Sequence, residues 1–104
     1  MNGNAILLVE DDPGDVGLFM DAIKHFGMDV RVAESIREAK DKIIAYPKYN
    51  FVFVDLTLQG MDAVPLIRWI KKDFPYIPVI VLTGSTELTE RKQSELRDAG
   101  PEPR

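Results

Sequence analysis

Three acidic residues in this chain stand where charge is hardest to place. Glu10 and Asp11 follow the apolar run Ile6-Leu7-Leu8-Val9, and Asp55 follows Phe51-Val52-Phe53-Val54. A carboxylate directly after such a run sits at the margin of an apolar interior, where an unpaired charge is costly. Neither run has a histidine or lysine next to it to neutralise the acids. Two unit charges about 5 Å apart at an effective dielectric near 20 repel by about 3 kcal/mol. If the three acids converge, they must retain protons or recruit a cation. An all-oxygen, incomplete carboxylate set suits Mg²⁺, which keeps several waters and completes its shell with a phosphate. A carboxylate beside such a metal can act as a nucleophile. Attack by Asp55 on an activated phosphoryl group would form an aspartyl phosphate, the metal neutralising charge as it develops. Thr83-Gly84, after the apolar run Val79 to Leu82, adds a hydroxyl and a bare backbone at a third such margin.

Whether these residues meet depends on the elements that deliver them. Ile6 to Val9 reads as a strand buried on both faces. Asp12 is a good N-cap and Pro13 suits a first helical turn. Val16, Phe19, Met20, Ile23 and Phe26 then recur at helical spacing until Gly27 supplies a stop. Asp29 to Ala33 is a second, shorter strand. Ser35 and Glu38 form a capping box for a helix whose apolar face holds Ile36, Ala39, Ile43 and Tyr46, closed by Pro47. Phe51 to Val54 is the strongest strand signal and should be central. Thr57 to Met61 is a loop, after which Val64, Ile67 and Ile70 stripe a helix to about Asp73. Val79 to Leu82 is a fourth strand. Thr86 can cap a last helix ended by Gly100 and Pro101, with only Leu88, Leu96 and Ala99 as apolar residues. Four strands alternating with four helices predict a doubly wound α/β fold, with a parallel sheet and helices on both faces. In such a sheet ligands bind at the carboxyl ends of the strands. Those ends are Glu10-Asp11, Asp55 and Thr83-Gly84.

Composition narrows the options further. A hydrophobic share of 45% with 29% charged residues, over 104 residues, is that of one folded domain spanning 1–104. The net charge is −4, and no basic stripe runs along the chain, so direct nucleic-acid binding is not expected. The absence of cysteine removes disulfides, thiolate metal sites and cysteine nucleophiles, and a single histidine, His25, removes multi-histidine sites. No apolar run is long enough to span a bilayer, and the first residues do not resemble a secretion signal. The expectation is a cytoplasmic protein without membrane contact.

The motifs together resemble the receiver domain of bacterial two-component response regulators. The resemblance rests on Leu8-Val9-Glu10-Asp11-Asp12, on Phe53-Val54-Asp55-Leu56 followed by Gly60-Met61-Asp62, and on Val81-Leu82-Thr83-Gly84. It runs from Asn4 to about Gly100. It implies a flavodoxin-like sheet with strand order 2-1-3-4 and makes Asp55 the phosphoacceptor, fed by a sensor histidine kinase or a phosphotransfer protein. Asp11 would bind Mg²⁺ directly, Glu10 would hold metal-bound water, and the Thr57 carbonyl would complete the protein's share of the shell. Thr83 would bond the phosphoryl oxygen and move on modification, with Gly84 close to the phosphate. Gln59 and Ala63 stand where the family commonly has proline and glycine. The family's fifth strand, with its lysine, and its fifth helix have no counterpart before Pro101-Glu102-Pro103-Arg104. Homo-oligomerisation through the fourth strand's edge or the last helix is therefore expected.

Plainer roles compete at some positions. Asp12 and Asp15 suit the positive end of a helix, Thr83 could be a β-branched strand residue, and His25 a solvent-facing residue near a helix end. A rival function is an Mg²⁺-dependent aspartyl phosphotransferase or phosphatase, but enzymes of that kind carry a second aspartate two residues after the nucleophile, and here that residue is Thr57. Another is a docking or oligomerisation module that is never phosphorylated.

Overall fold

A computed structural model describes residues 4–56, 58–60 and 62–82 of the chain. Its elements alternate as the sequence pattern requires: β1 (Ala5–Val9), α1 (Pro13–Ile23), β2 (Asp29–Ala33), α2 (Ile36–Ala45), β3 (Phe51–Asp55), α3 (Val64–Asp73) and β4 (Val79–Leu82). Short 3-10 turns lie at Lys24–Phe26 and Leu58–Gly60. The sheet is parallel, in the order β2-β1-β3-β4, which is the doubly wound, flavodoxin-like arrangement. The last helix expected from Thr86 lies outside the described residues.

Local chemistry sets the boundaries. Asp12 caps α1 by accepting from the Asp15 N–H, and Pro13 opens the first turn. The spacing predicts one helix to Phe26, but its last residues tighten into the 3-10 turn. Gly27, at φ 67°, then donates its N–H to the Lys24 carbonyl, a left-handed conformation that glycine adopts without steric cost. At α2, Ser35 Oγ accepts from the Glu38 N–H at 3.1 Å. The return bond from Glu38 goes to the Glu34 N–H, at 2.9 Å, one residue earlier than in the usual box. Ala63 begins α3 without a side-chain cap, and Asp62 Oδ1 supplies the acceptor for the Val64 N–H at 3.0 Å instead.

The strand order also decides which helix covers which face. α1 carries the chain from β1 to one neighbour, whereas α2 and α3 carry it the other way. Right-handed crossovers therefore place α1 on one face and α2 with α3 on the opposite one. The two-helix face holds the main core: Leu7, Val9, Val52 and Val54 pack with Ala39 and Ile43 of α2 and Ile67 and Ile70 of α3. On the α1 face, Phe19 meets Phe53 edge-on, with ring centroids 4.8 Å apart. β1 is buried on both faces, as its composition predicts. The other two apolar strands are not, because Phe51 and Ile80 each keep 37% of their surface exposed.

Candidate functional site

β1 and β3 are adjacent and parallel, with Val9 paired to Val54. The residues that follow them therefore emerge side by side at the carboxyl edge. Main-chain bonds hold that rim in place: the Glu10 N–H donates to the Ala33 carbonyl at 2.9 Å, and the Leu56 N–H donates to the Leu82 carbonyl at 3.2 Å. Oxygens of Glu10, Asp11 and Asp55, one from each, lie within 4.8 Å of one another. Asp11 and Asp55 are part-buried. Asp55 closes β3, an interior strand flanked by β1 and β4.

Glu10 is only 5% exposed. Its main chain is still held against β2 through Ala33, and its side chain is buried where water cannot solvate its charge. Burial raises its pKa from 4.5 to about 7. The Asp12 N–H, donating to Glu10 Oε2 at 3.2 Å, opposes that rise. The negative charges of Asp55, Asp15 and Asp11 add to it. Without a cation, Glu10 therefore keeps its proton to a higher pH than an exposed glutamate does.

The sequence places Thr57, Thr83 and Gly84 at this site as well, and all three lie outside the described residues. The burial of Glu10 was missed from sequence, where all three acids read as rim residues of one kind. No pattern in β1 signals it, because that strand is buried on both faces. The left-handed turn at Gly60, φ 73°, was also missed; it returns the chain from β3 towards α3, and the Ala63 N–H closes the loop on the Leu56 carbonyl at 3.2 Å.

The sequence matches the family described as the response regulator receiver domain over residues 6–100. This chain belongs to the response regulator receiver family. The receiver is 33% identical over 81 residues to the nitrogen assimilation regulatory protein NtrX of Azorhizobium caulinodans, covering 76% of this chain and 18% of that protein. Among solved structures, a response regulator receiver protein from Pseudomonas putida superposes with a TM-score of 0.79 at 22% identity, covering 96% of this chain and 82% of that one. The BeF3-activated N-terminal receiver domain of Klebsiella pneumoniae RstA gives a TM-score of 0.74 at 28% identity, covering 90% and 80%. The chain spans less than one fifth of the length of the first curated relatives it matches. A receiver is a signalling module of two-component systems, not a metabolic enzyme. Among the described residues, no helix is long and apolar enough to cross a membrane.

Proposed function

We propose that this receiver accepts a phosphoryl group on Asp55 from a sensor histidine kinase or a phosphotransfer protein, in the cytoplasm, with Mg²⁺ held by Glu10, Asp11, Asp55 and the Thr57 carbonyl. The observation that carries this reading is the gathering of three carboxylates within 4.8 Å at the end of an interior strand. Their donor set fits the metal: oxygen only, too few to fill an octahedron, and leaving room for waters and a phosphate. Bound there, Mg²⁺ would neutralise charge on the transferring phosphoryl oxygens.

The chain's own residues then have distinct tasks. An Asp55 carboxylate oxygen attacks phosphorus, forming a P–O bond as the P–N bond of a phosphohistidine breaks and its electron pair returns to the imidazole. Asp11 would offer a carboxylate oxygen directly to the cation. Glu10, buried and accepting from the Asp12 N–H, would hold a water of the bound cation, its proton passing to solvent. The Thr83 hydroxyl donates to a phosphoryl oxygen, Gly84 leaves the backbone free to approach, and that movement relays the modification. Modification adds close to two negative charges, which is ample to bias a loop. Among the described residues β4 has a strand partner only in β3, and the proposal includes self-association through that edge or through the last helix.

The test is exposure to acetyl phosphate and Mg²⁺, followed by intact mass measurement, borohydride trapping and peptide mapping. Phosphate is expected on Asp55 alone and not in Asp55→Asn. Phosphate on another residue overturns the assignment, and none at all leaves the docking module as the better reading.

A further inference from the structure

Asp12 stands outside the acidic trio, yet it is bonded to it. Its side chain turns into the helix, Oδ2 accepting from the Asp15 N–H at 2.8 Å, and its carbonyl accepts from the Val16 N–H at 3.0 Å. Its own N–H points away from the helix and donates to Glu10 Oε2 at 3.2 Å. The backbone at Asp12 is extended, φ −89° and ψ 117°, the conformation of an N-cap, whose N–H takes no part in the helix. One residue thus ties the first turn of α1 to a carboxylate that is 5% exposed.

We propose that Asp12 is a positioning residue: by capping α1 it fixes the backbone that aims its N–H at Glu10, and so holds the Glu10 carboxylate where its oxygen meets those of Asp11 and Asp55. The proposal rests on the Mg²⁺ reading above for its consequence, but not for its geometry. Gly14 supplies a second, independent constraint. A Cβ at that position would lie 3.1 Å from Asp12 Oδ2, whereas one at Gly17 in the same helix would meet nothing within 4 Å. An unbranched backbone at residue 14 leaves the cap oxygen undisturbed.

Four variants separate positioning from charge. Asp12→Asn and Asp12→Ser remove the negative charge but keep a capping oxygen. Asp12→Ala removes both. Gly14→Ala keeps every charge and crowds the cap. Two quantities are read by NMR on the folded protein: the Mg²⁺ dissociation constant from amide shifts, and hydrogen exchange of the residue-12 amide without metal. A merely structural cap would lower stability and leave both unchanged in folded molecules. Mg²⁺ affinity in Asp12→Asn and Asp12→Ser is expected within about twofold of the parent, and in Asp12→Ala about fivefold weaker, the ratio that corresponds to a typical cap. Gly14→Ala moves in the same direction as Asp12→Ala, and residue-12 exchange accelerates in both. Equal weakening in Asn, Ser and Ala variants overturns the proposal in favour of a charge effect. Unchanged exchange in both alanine variants overturns it outright. If the parent protein binds no Mg²⁺ while exchange still follows the order of capping, the metal reading fails and the positioning role stands.

Discussion

Glu10 makes the stability of the metal-free receiver depend on pH in a direction opposite to that of most carboxylates. A paired surface acid has a lowered pKa and stabilises the fold as pH rises. Glu10 has a raised one, about 7 against 4.5, so between those values the native state binds more protons than the unfolded chain, and stability falls as pH rises. Its contribution is fully present below about pH 4.5 and is lost as pH climbs through 7. At 1.36 kcal/mol per pKa unit, the loss between about pH 5 and about pH 8 is on the order of 2.5 kcal/mol. That is a large share of a small domain's stability. Glu10→Gln keeps the shape and cannot ionise. Urea unfolding of both proteins, in chelator, at those two pH values isolates the residue, because every other titrating group is common to both. The variant is expected to be more stable than the parent at the higher pH by about 2 to 3 kcal/mol and nearly equal at the lower. Adding Mg²⁺ at ten times the parent's dissociation constant should restore about 1.4 kcal/mol to the parent at the higher pH and less to Glu10→Gln, whose neutral amide oxygen weakens the site without emptying it. A pH slope equal in the two proteins would refute the buried, proton-holding Glu10.

Three further outcomes follow from other residues. Asp11→Ala should abolish Mg²⁺ binding with the fold intact, read by metal titration monitored by amide shifts; unchanged affinity would mean the site is misassigned. Phe19→Ala should cost about 2 kcal/mol in urea unfolding, less than a fully buried ring because α1 buries no residue completely; a loss below about 0.5 kcal/mol would mean that the Phe53 contact does not anchor the helix. Self-association at micromolar concentrations is expected by light scattering, and Ile80→Lys, at an exposed position of β4, should favour the monomer; a parent that is monomeric throughout that range would count against edge pairing.

The strands were legible because each is a short apolar run with a polar stop, and parallel pairing carries those stops to one rim. That is why the sequence pattern alone brings Glu10, Asp11 and Asp55 together. The helix starts at Asp12 and Ser35 were legible for a similar reason, since a capping side chain acts within three residues. What could not be read was depth. An apolar run cannot reveal whether one helix or two cover each face, so Phe51 and Ile80 looked as buried as Leu7. Nor does residue type distinguish Glu10 from its neighbour Asp11. The difference lies in how the chain leaves β1: the Glu10 N–H is still bonded to the Ala33 carbonyl and its side chain turns inward, while Asp11, one residue further on, is part-exposed.

That inward turn links the fold to the chemistry. Three carboxylates held together by a β1–β3 pairing that they did not create cannot relax apart, because their separation is fixed by strands whose burial is worth far more than their repulsion. Protonation of the most buried member and a bound cation each relieve that repulsion. Glu10, with its pKa near neutrality, can do either with little change in free energy. Asp55, part-buried at the end of β3, is left accessible to an incoming phosphoryl group. A site of this design is more stable when a cation is bound and most strained when empty at high pH. Its affinity for Mg²⁺ should consequently rise with pH through about 7, as proton and metal compete for the same oxygen. Mg²⁺ titrations on either side of that value should differ in the parent protein and coincide in Glu10→Gln, and a parent affinity that does not change with pH would rule out the competition.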